Sequence, residues 1–575
     1  MKKRILINLL SVLLLAFLYS CKSGKSPDKD VVITDSAIVA RGEIAFTQNC
    51  SSCHNFKRDG IGPQLAGVTE EASAGWLEHF IKDPKQIIES GDERAQKLFK
   101  KYHTVMPSFA AYADEEINAI ISFLRIHKAG DKKTDELDPN ALKNPIPDSI
   151  KFSGLVAALK PVTQVPSSGD SGKLPLTRIT KLDYQPKDGS LFILDLRGKL
   201  YKLQNNQPVV FMDMAKLEPK FINVPGLATG FGSFAFHPDF LKNGLLYTTH
   251  TEPAHSGKDG FGFPDSIKST LQWVLTEWKT GQPGALPFSG KGRELLRISM
   301  VAGIHGVQEI TFNPLAKTGD NDYGLLYIGV GDGGAVEEGY PFLAHSREKI
   351  WGTVLRIDPT GKNSSNGQYG IPADNPFVNA QNSRTLKEIY SYGFRNPHRI
   401  TWSHTGQMLV CNVGHGNIES INMIMPGQDY GWPIREGSFL LNPYGNLNNI
   451  YPLPVDDTSF HISYPVAAFD HDEGKAISGG FEYTGNAIPT LRGKYLFGDI
   501  PTGRLFYIDM ADIRQGKQTV VKEWKVSVDN AVKSLHTLCG TDRVDLHFGK
   551  DKEGELYILT KPDGKVYKLV SATIK

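Results

Sequence analysis

The sequence predicts a mainly β protein in which a six-bladed β-propeller is preceded by a small all-α domain. The propeller is predicted by a strand of alternating apolar residues that follows a glycine turn and recurs at uneven intervals. The copies begin at Gly189, Gly244, Gly324, Gly406, Gly493 and Gly554. The first and last copies are alike, since they end in Gly-Lys-Leu-Tyr-Lys-Leu at 198–203 and Gly-Lys-Val-Tyr-Lys-Leu at 564–569. Small antiparallel sheets that repeat in this way bury their faces by radial packing. A β-sandwich or two unrelated β domains are the alternatives.

The all-α domain is predicted from the motif Cys50-Ser51-Ser52-Cys53-His54. Two thiols at this spacing reach both vinyl groups of one porphyrin as thioethers, and the histidine that follows lies under the iron as an axial ligand. A redox dithiol or half of a zinc site would also use the cysteines, but neither requires the histidine, and no second cysteine pair follows. The sequence therefore predicts one covalent haem c, attached through Cys50 and Cys53 and ligated by His54.

The second axial ligand is predicted to be Met106, in Val-Met-Pro-Ser-Phe at 105–109. A thioether at this position raises the reduction potential of the haem and closes the iron to substrates. Methionine is also a common core residue, and His79, His103 or His127 could compete for the iron.

A helix is predicted from Asp114 to about Lys128, with acidic residues at its positive end and an apolar stripe on one face. Together with the haem motif and the amphipathic segment around Gly42, this helix resembles part of a class I cytochrome c. The resemblance covers Ala40 to Lys128, and the domain is placed at 37–128.

The N-terminus has the layout of a secretory signal. Basic residues precede an apolar run from Ile5 to Tyr19, which is too short to span a bilayer comfortably. The run ends in Leu-Tyr-Ser-Cys at 18–21, which resembles a bacterial lipobox. We predict a signal peptide at 1–20, acylation of Cys21 after cleavage and a polar tether at 21–36. An ordinary signal with an incidental cysteine is the alternative. Covalent haem attachment also belongs outside the cytoplasm, so we expect an extracytoplasmic protein, lipid-anchored to a bacterial membrane.

The composition indicates which partner is excluded and where the linker and the propeller lie. A formal net charge of +2 over 575 residues predicts no nucleic-acid partner. Residues 129–174 are rich in Lys, Asp, Pro, Ser and Gly, so we predict a linker in which Phe152 to Leu159 could be ordered. The propeller is placed at 175–575. It contains Cys411 and Cys539, for which two separate thiols are favoured over the disulfide that an exported protein would permit.

Several motifs of the predicted propeller occur together. They are Phe-Ala-Phe-His-Pro-Asp-Phe at 234–240, Gly-Val-Gly-Asp-Gly-Gly at 329–334, Gly-Thr-Val-Leu-Arg-Ile-Asp-Pro at 352–359, Tyr-Gly-Phe-Arg-Asn-Pro at 392–397 and Asp-Tyr-Gly-Trp-Pro at 429–433. In combination they resemble the glucose/sorbosone dehydrogenase family, over roughly Leu176 to Leu569. The family includes soluble quinoprotein glucose dehydrogenases and aldose sugar dehydrogenases. The resemblance implies a six-bladed propeller that binds pyrroloquinoline quinone (PQQ) and calcium in a cleft at its top.

The resemblance also implies which residues form the site. PQQ carries three carboxylates and an ortho-quinone, so it needs cationic donors, a Lewis acid and a base near the substrate. Arg395 and Asn396 match the family's cofactor clamp, with Arg395 able to polarise a quinone oxygen, and Arg543 matches an arginine against a PQQ carboxylate. His305 matches the catalytic histidine, where a neutral imidazole takes the hydroxyl proton while the adjacent carbon passes hydride to the quinone. Asp332 is interpreted as a turn former.

Three positions depart from the family pattern. Where the family commonly has Gly-Pro, this chain has Gly414 and His415, whose main-chain carbonyls are predicted to bind calcium. Ala228 stands where some members have a glutamine near the cofactor. Asp545 replaces a second arginine two residues after Arg543. Either the PQQ site is rebuilt or the specificity has shifted.

These features together predict a PQQ-dependent dehydrogenase that oxidises an aldose or a related small alcohol by hydride transfer to PQQ. Electrons would then pass to the fused c-type haem and on to a respiratory acceptor. The choice of substrate is assigned to loops such as Glu252 to Thr270 and Glu436 to Pro454. Two other functions stay open. One is a non-catalytic carbohydrate-binding propeller attached to an electron-transfer cytochrome c. The other is a propeller hydrolase with a central metal, for which the sequence reveals no carboxylate-rich cluster.

Overall fold

The computed structural model describes residues 36–51, 53–56, 59, 62–102, 104–129, 138–169, 173–225 and 228–574. The predicted signal peptide, Cys21 and nearly all of the predicted tether lie outside these residues. None of the helices found within the described ranges has the length and apolar character needed to cross a membrane.

The described part of residues 36–129 folds into a small helical domain. Its helices are α1 Ser36–Asn49, α2 Val68–Glu71, α3 Ala74–Lys82, α4 Pro84–Glu89, α5 Glu93–Tyr102 and α6 Asp114–Ile126. Helix α1 packs closely on α6 at Gly42, where the lack of a side chain leaves room for the carbonyl of Ala119. Phe46 of α1 and Ile117 and Ile120 of α6 fill the core of the domain. This packing fixes the end of α1, which the haem motif directly follows.

The remaining described residues form a β-propeller. Its strands are β1 Lys151–Gln164, β2 Ile179–Tyr184, β3 Leu191–Asp195, β4 Lys199–Gln204, β5 Gln207–Asp213, β6 Phe231–Phe236, β7 Leu245–Pro253, β8 Leu271–Lys279, β9 Lys291–Met300, β10 Glu309–Phe312, β11 Leu326–Val330, β12 Thr353–Ile357, β13 Ile389–Tyr392, β14 Pro397–Trp402, β15 Met408–Asn412, β16 Ile418–Ile424, β17 Arg435–Glu436, β18 Phe439–Leu441, β19 Ile450–Tyr451, β20 Ala467–Asp470, β21 Ile477–Glu482, β22 Lys494–Asp499, β23 Leu505–Asp509, β24 Lys522–Val528, β25 Ala531–Lys533, β26 Leu546–Lys550, β27 Leu556–Thr560 and β28 Lys565–Ile574. Short helices α7 Met214–Leu217, α8 Phe240–Asn243 and α9 Leu535–Cys539 lie between them, with 3₁₀ turns at Pro341–Leu343, Asp457–Phe460, Pro489–Leu491 and Met510–Asp512.

Among the described residues, these strands form six blades of four strands. Blade 1 contains β2 to β5, blade 2 contains β6 to β9, and blade 3 contains β10 to β13. Blade 4 contains β14 to β16 and β20, blade 5 contains β21 to β24, and blade 6 contains β26 to β28 and β1. An insertion in blade 4 carries the small sheet β17 to β19. The predicted fold class, mainly β with a small all-α domain in front, is confirmed.

The propeller is closed by a strand that precedes its first blade. Strand β1 pairs antiparallel with β28 as the outermost strand of blade 6, and its first half also pairs in parallel with β24 of blade 5. Residues 151–164, predicted to belong to a linker at 129–174, are therefore part of the propeller. The sequence does not reveal this strand for two reasons. Residues 129–174 have the polar composition of a linker, and the strands that pair with β1 lie near the end of the chain. Pro161 is tolerated because β1 has only one neighbouring strand at that point.

The loops of the propeller divide between two faces. Every blade runs from an inner to an outer strand, and the inner strands of blades 1 and 6 pair in parallel. The loops that lead into the inner strands therefore share one face with the loops that join the second strand of each blade to the third. We call this the top face.

Cys411 and Cys539 are both free thiols, as predicted.

Candidate functional site

The haem motif occupies a turn that continues helix α1. The amide of Cys50 donates to the carbonyl of Phe46 at 2.7 Å, and the amide of His54 donates to the carbonyl of Cys50 at 2.9 Å. This turn places Cys50, Cys53 and His54 on the wall of one cavity of about 430 Å³. The local backbone therefore brings the three predicted haem residues together.

Met106 lies on the wall of the same cavity. Neither His79 nor His127 is among the described residues that line it, and His127 instead stacks on Phe56 with ring centroids 3.5 Å apart. The third competing residue, His103, lies outside the described residues. The geometry favours Met106 as the partner of His54 at the iron.

The ring of His54 is oriented for a metal. Its Nδ1 donates to the carbonyl oxygen of Pro63 at 2.7 Å, which leaves Nε2 for iron. Gly62 allows the backbone to lie against the ring, because a side chain there would overlap the imidazole. Burial lowers the pKa of His54, so the ring stays neutral and able to ligate. The cavity, the two thiols and the oriented imidazole fit a covalent haem.

The top face of the propeller carries His305 in the loop that leads into β10. His305 has a φ of 48°, a strained conformation for a residue with a side chain. Its Nδ1 donates to the buried carboxylate of Asp332 at 2.8 Å. Asp332 also accepts from Trp432 Nε1 at 3.0 Å and from the amide of Gly334 at 2.9 Å. Asp332 thus stabilises a turn, as predicted, and in addition fixes the tautomer of His305 that leaves Nε2 as a proton acceptor.

Arg395, in the loop before β14, pairs with Glu337, a residue that sequence reasoning missed. The guanidinium contacts the carboxylate of Glu337 and donates to the carbonyl of Gly414 at 2.5 Å. Nδ1 of His415 lies 2.9 Å from the Glu337 carboxylate, and Nδ1 of His305 lies 4.0 Å from it. Burial by itself raises the pKa of Glu337, but Arg395 and the two histidines outweigh burial and hold the pKa well below its usual range. The top face therefore holds a compact cluster of paired charges.

The loop at 414–418 is held by another glutamate, the buried Glu436, from the insertion in blade 4. Its Oε1 accepts hydrogen bonds of 2.8 to 3.2 Å from the amides of His415, Gly416, Asn417 and Ile418. Calcium takes oxygen ligands. Here the loop turns its N–H groups toward a carboxylate, and the carbonyl of Gly414 is already paired with Arg395. Calcium bound there would have to displace Arg395 from the Gly414 carbonyl, and the site predicted at Gly414 and His415 stays a prediction.

Three buried polar atoms of this cluster have no hydrogen-bond partner within the described structure, namely Arg395 Nε, Glu337 Oε2 and His415 Nε2. Buried polar atoms are rarely unpaired, so such atoms mark a place where a polar group binds. Glu337 Oε2 accepts hydrogen bonds, whereas Arg395 Nε donates, so it is Arg395 that suits a carboxylate or quinone oxygen of an acidic cofactor such as PQQ. A cavity beside Arg395 measures only about 10 Å³, enough for one water. PQQ bound here would take the place of Glu337 as the partner of Arg395.

The other two residues predicted to bind PQQ lie differently. Asn396 is buried next to Arg395 in the same loop. Arg543, in the loop before β26, donates from Nε to Asp545 at 2.8 Å, and its Nη1 lies 3.9 Å from the sulfur of Cys53. Arg543 also lines the haem cavity. The top-face cluster thus includes Arg395 and Asn396, whereas Arg543 contacts the helical domain.

The haem cavity faces the top face of the propeller. A second cavity, of about 240 Å³, lies between the domains, with Cys53 and Met106 on one side and Asp542 and Arg543 on the other. An ion pair of 3.3 Å joins Lys85 to Asp542 across the same interface. A haem held by the helical domain would therefore lie at the contact between the two domains.

A haem-binding domain docked on a propeller face that carries a His–Asp pair defines a two-domain redox protein. Comparison with known proteins supplies the family. Residues 301–568 match the family model for Glucose / Sorbosone dehydrogenase, and residues 39–128 match the model for Cytochrome c. Most of the propeller thus matches the model of this dehydrogenase family, and a cytochrome c domain lies in front of it. Both resemblances seen in the sequence are confirmed.

The chain is similar to several known proteins and solved structures. It is 26% identical over 389 residues to the HIPL1 protein of Arabidopsis thaliana. The aligned region covers 59% of this chain and 53% of that protein. It is 24% identical over 335 residues to quinoprotein glucose dehydrogenase B of Acinetobacter calcoaceticus, covering 54% of this chain and 62% of that protein. The crystal structure of the soluble aldose sugar dehydrogenase of Escherichia coli superposes with a TM-score of 0.49 at 17% identity, over 73% of this chain and 100% of that structure. The chain spans about half the length of the first of these relatives and less than two thirds of the second.

Proposed function

We propose that the chain is a dehydrogenase in which the propeller oxidises an aldose or a related small alcohol with PQQ, and the fused haem takes the electrons. One observation carries this proposal. The haem cavity lies against the face of the propeller that holds the His305–Asp332 pair and Arg395. An electron-transfer domain fixed at that face is well placed to serve an oxidation there. The match of residues 301–568 to a dehydrogenase family model supports the same conclusion.

The contacts of the top-face residues give each a role. His305 donates from Nδ1 to Asp332, so its Nε2 can accept the hydroxyl proton of the substrate. The charge of Asp332 then stabilises the imidazolium that forms. Arg395 and Asn396 would hold PQQ, with Arg395 paired to a carboxylate or a quinone oxygen. Bound PQQ supplies the acceptor for the hydride that leaves the carbinol carbon.

The helical domain supplies the acceptor side. Cys50 and Cys53 would hold the porphyrin, with His54 and Met106 as axial ligands that close the iron to substrates. Such a haem takes one electron at a time, so two transfers complete each sugar oxidation. A respiratory protein outside the chain would then receive the electrons.

We also propose that the protein is exported and anchored by a lipid on Cys21, outside the cytoplasm of a bacterium. The lipobox-like residues 18–21 and the need to attach haem c outside the cytoplasm support this location. Incorporation of labelled palmitate tests it. The intact protein should take up the label and Cys21→Ser should not, while equal labelling of both would contradict the anchor.

The experiment that tests the reaction follows the reduced haem band of the full-length, haem-loaded protein. The protein is mixed with PQQ and a panel of aldoses and simple alcohols, with and without calcium, and dithionite gives the end point of full reduction. We expect haem reduction only when both PQQ and a substrate are present. Comparison of the samples with and without calcium tests whether calcium bound at Gly414 and His415 is required.

The matched variants are His305→Asn and His461→Asn. Both histidines have a positive φ, 48° and 53°, a conformation that asparagine tolerates, but His461 is exposed at the surface. His305→Asn should abolish substrate-dependent haem reduction, and His461→Asn should retain it. Wild-type reduction in His305→Asn, or no reduction by any substrate with PQQ, would contradict the proposed reaction.

A carbohydrate-binding propeller without quinone chemistry is the second candidate. It is favoured by the pairing of Arg395 with Glu337, which engages the cation that would hold PQQ. This function predicts sugar binding in calorimetry, no binding of PQQ and no haem reduction. Titration of the protein with PQQ alone therefore separates the two functions.

A further inference from the structure

Arg543 is a residue of the propeller, but its side chain lines the haem cavity. It follows α9 in the loop that leads into β26, yet it lines the cavity that holds Cys53, His54 and Met106. Its Nη1 lies 3.9 Å from the sulfur of Cys53, one of the two atoms that would form a thioether to the haem. The wall of the haem cavity is therefore built from both domains.

Asp545 fixes the direction of this side chain. Its Oδ1 accepts from Nε of Arg543 at 2.8 Å, and its own backbone is held in the left-handed region, with a φ of 46°. This aspartate stands where the family pattern has a second arginine, so the departure noted in the sequence gains a physical reason. A second arginine would repel the guanidinium of Arg543, whereas the carboxylate holds it toward Cys53.

The position of Arg543 gives it an electrostatic effect on the iron. The guanidinium keeps its charge at all relevant pH values. The cavity is lined largely by apolar side chains, including Phe46, Leu77 and Ile120, and charges interact more strongly across such a medium than across water. Asp545 offsets part of the charge and lines the cavity between the domains, though not the haem cavity itself. The other charged residues that line the haem cavity are paired, Lys101 with Asp59 and Arg94 with Glu71. A fixed positive charge at this place disfavours ferric haem relative to ferrous haem.

We propose that Arg543 is a haem residue contributed by the propeller: it completes the cavity wall at the Cys53 thioether and raises the reduction potential of the haem. This role replaces the contact with a PQQ carboxylate that the family resemblance implies for Arg543. It goes beyond the proposed sugar oxidation and does not depend on it, because a potential can be measured without PQQ or substrate.

The test is a redox titration of the full-length, haem-loaded protein with mediators, followed by the haem spectrum. The variants are Arg543→Gln, Arg543→Met and Arg543→Lys. The two neutral variants should lower the midpoint potential, and Arg543→Lys should stay closer to the wild type because it keeps a positive charge. Two neutral side chains of different shape are used so that misfolding of one does not leave the question open.

Lys85→Gln is the matched control. Lys85 also places a positive charge at the interface, but its side chain is 53% exposed and paired with Asp542, so solvent screens it. Its removal should leave the potential unchanged. An unchanged potential in both neutral variants of Arg543, or an equal shift in Lys85→Gln, would overturn the inference. A lowered potential in a protein that oxidises no sugar would support the role of Arg543 while contradicting the proposed reaction.

Discussion

Removal of Glu436 should destabilise the propeller by several kcal/mol. One oxygen of this buried carboxylate accepts four main-chain N–H groups from the loop at 414–418, and the other accepts Asn417 Nδ2 at 2.7 Å. In Glu436→Ala these donors lose their acceptor. A buried donor left unpaired costs about 1–3 kcal/mol, and water that enters the loop would satisfy some of the donors. We therefore expect a loss of roughly 3–6 kcal/mol, a large part of the about 5–15 kcal/mol that holds a typical domain folded.

The measurement is urea unfolding followed by tryptophan fluorescence, since nearly all tryptophans lie in the propeller, while haem absorbance reports the helical domain separately. Glu553→Ala is the control, because Glu553 is exposed and surface substitutions usually change stability by less than about 0.5 kcal/mol. A loss below about 1 kcal/mol in Glu436→Ala would show that the loop does not depend on this carboxylate.

Three further predictions concern single groups. Gly62→Ala should prevent ligation by His54, because the new methyl group overlaps the imidazole. The haem spectrum should lose its His–Met signature. An unchanged spectrum would show that Gly62 does not pack against the His54 ring. Burial raises the pKa of Glu419 from its ordinary value of 4.5 to about 8, so the stability of the propeller should fall as pH rises from about 4.5 to 8, by at most ~1.4 kcal/mol per pH unit. Glu419→Gln should flatten this slope, and an equal slope in both proteins would contradict it. Glu337→Gln should destabilise the protein by roughly 3–5 kcal/mol, because the buried Arg395 loses its charged partner. The same variant should bind PQQ more tightly in a fluorescence titration, and weaker binding would argue against exchange of partners at Arg395.

Much of the prediction of the haem motif and of the site residues rests on local sequence patterns. The haem motif lies within five consecutive residues, so its chemistry depends on one turn of backbone that the sequence specifies. The resemblance to the glucose/sorbosone dehydrogenase family predicts His305 and Arg395 as site residues, and each precedes an inner strand, which places both on the top face. Here the order of strands within a blade is enough to bring distant residues together.

Non-local contacts could not be predicted. Glu337 and Glu436 come from a long loop and an insertion, and nothing in their spacing shows that they approach Arg395 and the loop at 414–418. Strand β1 finds its partners only when the chain closes on itself. Arg543 was assigned to PQQ from its motif, but the docking of the helical domain decides what it touches, and no local pattern encodes that docking.

We propose that the propeller site and the haem act as one redox unit within a single chain. The most direct measurement is anaerobic rapid mixing of the PQQ-loaded, full-length protein with its substrate, with the rate of haem reduction recorded over a wide range of protein concentrations. Transfer within the chain predicts a first-order rate that does not change with protein concentration. A rate that rises in proportion to protein concentration would mean that electrons pass between molecules, and would contradict the account.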